Sequence, residues 1–107
     1  MAGLRDTEVI DLVAEEPDGT VLLVIVQANP WTPTDIEPLK AKLNTYAQFI
    51  LDGGLINHYP EVAGRPVRIC IESKTPIPDA VATLMAIAHS KMSTFGIDLH
   101  YKVNPRL

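Results

Sequence analysis

Three groups of residues in this 107-residue chain are of types that could do chemistry. The first is Cys70, Asp98 and His100. A thiol beside an imidazole, with a carboxylate to orient the ring, is the composition of a cysteine nucleophile. The second is Glu72-Ser73-Lys74, with Pro17-Asp18 upstream. In metal-dependent nucleases two acids hold Mg²⁺ and a lysine stabilises charge developing near the attacking water. The third is Trp31 with His58 and Tyr59, groups able to form a loop site or anchor a partner.

Each group meets a physical objection. Cysteine in a strand commonly packs as a small apolar residue. A sheet face also offers no oxyanion donors, because the ladder consumes the backbone amides. Asp18 falls in a turn ahead of an apolar segment, and a whole helical stretch separates it from Glu72, so the nuclease spacing fails. The histidines His58, His89 and His100 form no i, i+4 pair, and there is no second cysteine, so no metal-ligand spacing is present. The segment Asn29-Pro30-Trp31-Thr32 contains no glycine and cannot be a phosphate loop. Trp31 ahead of a helix start reads more readily as one half of a hydrophobic staple with Ile36. The expectation is no catalytic residue, no metal and no cofactor. A small hydrolase or nuclease using Glu72 with Lys74, or Cys70 with His100, is the alternative.

The elements that position these residues follow from hydrophobic period. Residues 8–14 alternate charged with aliphatic side chains and predict a strand with one wetter face. Pro17-Asp18-Gly19 predicts a turn. Residues 20–27 are apolar on both faces, as a strand covered on both sides would be. Thr32 or Thr34 is a candidate N-cap, with Asp35 or Glu37 as its capping-box partner. The helix then runs on Ile36, Leu39, Leu43, Tyr46, Ala47 and Ile50, with Lys40, Lys42, Asn44 and Gln48 off that stripe, to a stop at Gly53-Gly54. Residues 55–64 read as a connector and 67–72 as a third strand. A second helix uses Val81, Leu84, Met85, Ala88, Met92 and Phe95 and ends at Gly96. Residues 97–103 alternate again, as a fourth strand.

The order ββαβαβ, with right-handed crossovers and both helices on one face, predicts a two-layer α/β sandwich of the α+β class. Its four-stranded mixed sheet has the order 1-2-3-4, the first strand antiparallel. The whole chain, 1–107, is one domain with a core at about residues 6–103. At 47% hydrophobic and 21% charged it has the material for a core without staples. The net charge of −4 argues against nucleic acid, whose phosphates call for a basic stripe. Residues 1–18 carry −5, residues 19–64 carry −2 and residues 65–107 carry +3, which suits charge-steered association. The longest apolar run, residues 21–26, is far short of the ~20 residues that span a bilayer. The start has no apolar leader segment, and Ala2 is not a myristoylation glycine. With a single cysteine, a cytoplasmic protein is expected.

Several stretches resemble a family. They are residues 6–11, Trp31, residues 39–46, residues 49–55 with Gly53-Gly54, and Tyr59-Pro60 ahead of residues 64–67. The chain is similar, over roughly residues 6–103, to a family of short bacterial proteins known only as a domain of unknown function. The resemblance implies a stand-alone bacterial domain and brings no catalytic residue or cofactor with it.

The functional expectation comes from the architecture. Helices on one face leave the other face with Arg68, Cys70, Glu72, Asp98, His100 and Lys102, beside one apolar row of the second strand. That row is Val21-Leu23-Ile25 or Leu22-Val24-Val26. An apolar row beside charges marks an interface. The sequence therefore predicts a non-catalytic interaction module, a homodimer or the binder of a partner protein.

Overall fold

In a computed structural model, residues 10–107 of the chain are described. Strand β1 (Leu12–Glu15) turns into β2 (Val21–Gln27) through Pro17-Asp18-Gly19. The turn is closed by the Gly19 amide donating to the Glu16 carbonyl at 2.9 Å. The Asp18 carboxylate accepts from the Thr20 amide at 2.9 Å, and Gly19 takes φ +93°, which favours glycine. Strands β3 (Val67–Ser73) and β4 (Ile97–Val103) complete a sheet of order β1-β2-β3-β4. Only β1 is antiparallel to its neighbour.

Helix α1 (Ile36–Leu51) lies between β2 and β3, and the later helix α3 (Asp79–Ser93) between β3 and β4. Leu39, Leu43 and Tyr46 of α1, and Val81, Met85 and Met92 of α3, bury against one set of strand residues: Val21, Leu23, Ile25, Ile69, Ile71, Ile97 and Leu99. Both helices therefore cover the same face, and the chain has the expected α+β two-layer architecture.

Local departures have physical causes. The first strand, expected from Glu8, begins within the described residues at Leu12. Glu8 and Val9 lie outside them, as do residues 6 and 7 of the family resemblance. A single 3-10 turn (Pro33–Asp35) precedes α1, and the Asp35 carboxylate accepts from the Thr32 amide at 2.7 Å. The expected connector contains a short helix α2 (Gly54–His58) and a 3-10 turn (Pro60–Val62), which bury Leu55 and Val62. The reversal between α1 and α2 needs Gly53 at φ +82°, and a Cβ on Gly54 would lie 2.7 Å from the Phe49 ring. Phe95, expected in the inner stripe, is exposed because it lies beyond the last turn of α3.

Lys42, expected on the wet side of α1, is instead buried. Its side chain is 0% exposed, and so is that of Asp11. Lys42 Nζ lies 2.5 Å from Asp11 Oδ1. The second carboxylate oxygen accepts from the Val26 amide at 3.0 Å. The Asp11 amide donates to the Tyr46 hydroxyl at 2.8 Å, and that hydroxyl donates to the Val24 carbonyl at 2.7 Å. Burial, with the Asp11 charge adding to it, raises the Tyr46 phenol above its ordinary value, against the opposing effect of the Asp11 amide. The phenol stays protonated and keeps donating.

Removing one member of a buried ion pair leaves the other charged and without water. Lys42→Met is expected to lower unfolding free energy by about 3–5 kcal/mol, read from chemical denaturation. A loss below about 1 kcal/mol would show that the pair does not hold β1 to α1.

Candidate functional site

The register decides which apolar row faces away from the helices. Leu22, Arg68 and Asp98 form one row across β2, β3 and β4. Val24, Cys70 and His100 form the next, and Val26, Glu72 and Lys102 the third. Ala14 and Leu12 of β1 extend the first two rows. All six expected interface residues thus share one face with Leu22-Val24-Val26. The row is less bare than expected: Val24 is 5% and Val26 8% exposed, whereas Leu12 is 50% exposed.

Charged side chains cross this face. Arg68 Nη1 donates to Glu16 Oε1 at 2.8 Å, and its Nε donates to Asp98 Oδ2 at 2.9 Å. One guanidinium therefore joins the end of β1 to β4. His100 Nε2 lies 3.0 Å from the same Asp98 oxygen, and His89 Nε2 of α3 lies 3.8 Å from the other. The Asn104 side-chain Nδ2 donates to Glu72 Oε1 at 2.6 Å. Burial pulls the Asp98 carboxyl upward, but the Arg68 hydrogen bond, the His100 and Arg68 charges and the Leu99 amide outweigh it and hold it below its ordinary value.

The candidate chemistry is only partly assembled. Cys70, His100 and Asp98 do lie on one face, with Cys70 and His100 cross-strand partners. The thiol, however, is buried and directed to the Ile71 carbonyl at 3.9 Å. Burial pushes its pKa up, against the smaller opposing influence of Lys102 and Arg68, which is the wrong direction for a nucleophile. Asp18 precedes β2 while Glu72 sits near the end of β3, so these acids occupy opposite ends of parallel strands. Among the described residues, no group of three His, Cys, Asp or Glu is placed to hold a metal.

Trp31 separates from His58 and Tyr59. Its indole N–H donates to Ser73 Oγ at 2.8 Å at the end of β3, and both Trp31 and Ile36 pack against the core, as a staple would. His58 and Tyr59 instead line a cleft of about 430 Å³ with Phe49 and residues 10–13. His58 Nδ1 is 2.9 Å from the Gly54 carbonyl, and its ring is 5.7 Å from that of Phe49.

A groove of about 640 Å³ not expected from the residue pattern lies on the outer side of the helix layer, lined by Leu43, Ala47 and Leu51 of α1, Leu84 and Ile87 of α3, and Phe95. The signal was present: Leu84, Ile87 and Ala88 spread the apolar surface of α3 beyond a single stripe.

A carboxyl lowered by folding contributes stability above its unfolded value and loses it as pH falls through the lower folded value. Arg68→Met is expected to move the Asp98 carboxyl up toward the ordinary range, followed by a side-chain NMR titration. An unmoved Asp98 would show that Arg68 is not its principal partner.

Among the described residues, no helix is long and apolar enough to cross a membrane. No curated protein and no solved structure matches the chain. A family model described as a family of unknown function (DUF6572) matches residues 2–105. The match covers all of the sandwich and nearly the whole chain, and the chain belongs to that family of unknown function.

Proposed function

We propose that this protein is a non-catalytic interaction module that works through the face of its sheet opposite the helices, binding a second copy or a partner protein. The observation that carries this reading is the cross-strand network Glu16–Arg68–Asp98–His100, beside the half-exposed Leu12, on a face that neither α1 nor α3 covers. Charged groups already fixed by one another lose little freedom on binding and give an interface its register. The single unpaired cysteine suits a reducing cytoplasm as the setting. The hydrolase reading is weaker, because Cys70 is directed to a backbone carbonyl and its thiol is raised by burial.

Sedimentation at micromolar concentration is expected to give a mass above 11.7 kDa, reduced when Leu12 and Leu22 are both changed to Lys. A species of 11.7 kDa at every concentration, indifferent to those changes, would overturn self-association through this face. Thiol labelling as a function of pH separates the catalytic alternative. Cys70 is expected to react more slowly than a free cysteine throughout, and a faster reaction at neutral pH would favour the nucleophile.

A further inference from the structure

We propose that two copies of this chain join edge to edge through β4, extending the sheet across a two-fold axis at His100. This goes beyond the preceding reading, because the contact is the sheet's edge and not its face.

Among the described residues, β4 is the last strand of the sheet and pairs only with β3, so no described strand occupies its other side. The amide of Asn104, the residue after β4, donates to the Ser73 carbonyl at 2.7 Å. Amides alternate in direction along a strand, so the even-numbered residues of β4 turn toward β3 and the odd-numbered ones turn outward. Consistent with this, the Leu99 amide donates to a side-chain acceptor, the Asp98 carboxylate of its own strand, at 3.1 Å. Ile97, Tyr101 and Val103 thus turn their amides and carbonyls outward along one edge, as does Leu99, whose amide rests on the Asp98 carboxylate of its own strand.

The side chains are self-complementary about the middle residue. Antiparallel pairing with a second β4 places Ile97 opposite Val103, Asp98 opposite Lys102, Leu99 opposite Tyr101, and His100 opposite itself. In this register the outward residues are the ones that face one another, so each of those pairs can exchange both of its hydrogen bonds. Asp98 and Lys102 fall in the closely spaced positions between, with opposite charges facing each other twice across the axis. The Leu99 amide would pass from the Asp98 carboxylate to the Tyr101 carbonyl of the other copy, releasing that oxygen toward Lys102. On the helix side, Tyr101 is 52% and Val103 44% exposed, although Ile97 and Leu99 of the same row are buried. The pairing sets each exposed residue against the buried end of the other strand. Shifting the register by two residues breaks both charge pairs. Exposed edges usually carry charges that repel an incoming strand; here they match one.

Sedimentation and mixing test this directly. The wild-type chain is expected to be a monomer–dimer equilibrium in the range of about 1–100 µM, as befits a small interface. Tyr101→Pro removes an outward amide without touching the β3–β4 ladder, and is expected to abolish the dimer while far-UV circular dichroism stays unchanged. Lys102→Glu and Asp98→Lys each bring like charges together and are expected to weaken self-association by about tenfold. Mixed together, the two variants restore opposite pairs at both positions and are expected to form a heterodimer.

A wild-type mass of 11.7 kDa throughout that range would overturn the proposal. So would a dimer that survives Tyr101→Pro, or charge variants that gain nothing by mixing. A dimer lost in the Leu12 and Leu22 lysine variant but kept in Tyr101→Pro belongs to the sheet face and also overturns edge pairing. The reverse pattern supports the edge and overturns self-association through the face.

Discussion

A fully buried ion pair between Asp11 and Lys42 constrains everything around it. Two charges out of water are tolerated only when their remaining hydrogen-bonding capacity is met inside the protein. Here Asp11 also takes the Val26 amide, and its own amide is received by Tyr46, which reaches on to Val24. The network crosses from α1 to the start of β1 and into β2. It needs one placement of α1 over the sheet and one rotation of the chain entering β1. Side chains alternate along a strand, so a slip of one residue would turn Asp11 outward and Leu12 inward. With Asp11 held under α1, Leu12 and Ala14 fall opposite Val24 and Leu22 on the far face, as the register shows.

That choice of face propagates through the sheet. Val21, Leu23 and Ile25 go under the helices, and Leu22, Val24 and Val26 go to the reverse side, in line with the charged residues of β3 and β4. The reverse surface is therefore not a bare apolar strip. It is a layer of paired charges over buried valines, with Arg68 joining two sheet margins. The outer helix side has the opposite character, with an apolar groove between α1 and α3. The two layers thus present surfaces of opposite chemistry.

The sheet's two edges also differ. β1 is four residues long, and its approach is tied into the core by Asp11. β4 has seven residues, alternating charged with apolar or aromatic side chains. Short or tethered edges resist strand addition, whereas a long regular edge accepts it unless its charges object.

Much of this was legible in the residues. The alternating and continuous apolar runs, the glycine and proline punctuation and the helical spacing of Leu39, Leu43 and Tyr46 determine four strands, two main helices and their order. Handedness of the crossovers then orders the sheet. Those signals are local, and local period is strong when one face must be dry. The sequence alone was silent on which row of β2 turns outward, because both rows are apolar and period carries no sign when neither face is polar. It also mistook Lys42 for a wet residue. Lysine is charged, and its burial depends on a carboxylate 31 positions away whose approach no local pattern records. Three residues after Leu39 and four before Tyr46, Lys42 is at helical spacing from the inner stripe, although it was expected off that stripe. The pairing of distant charges, the covering of the valines and the separation of Trp31 from His58 and Tyr59 were decided only by tertiary structure. Each depends on distances between elements, and those are set when the layers pack.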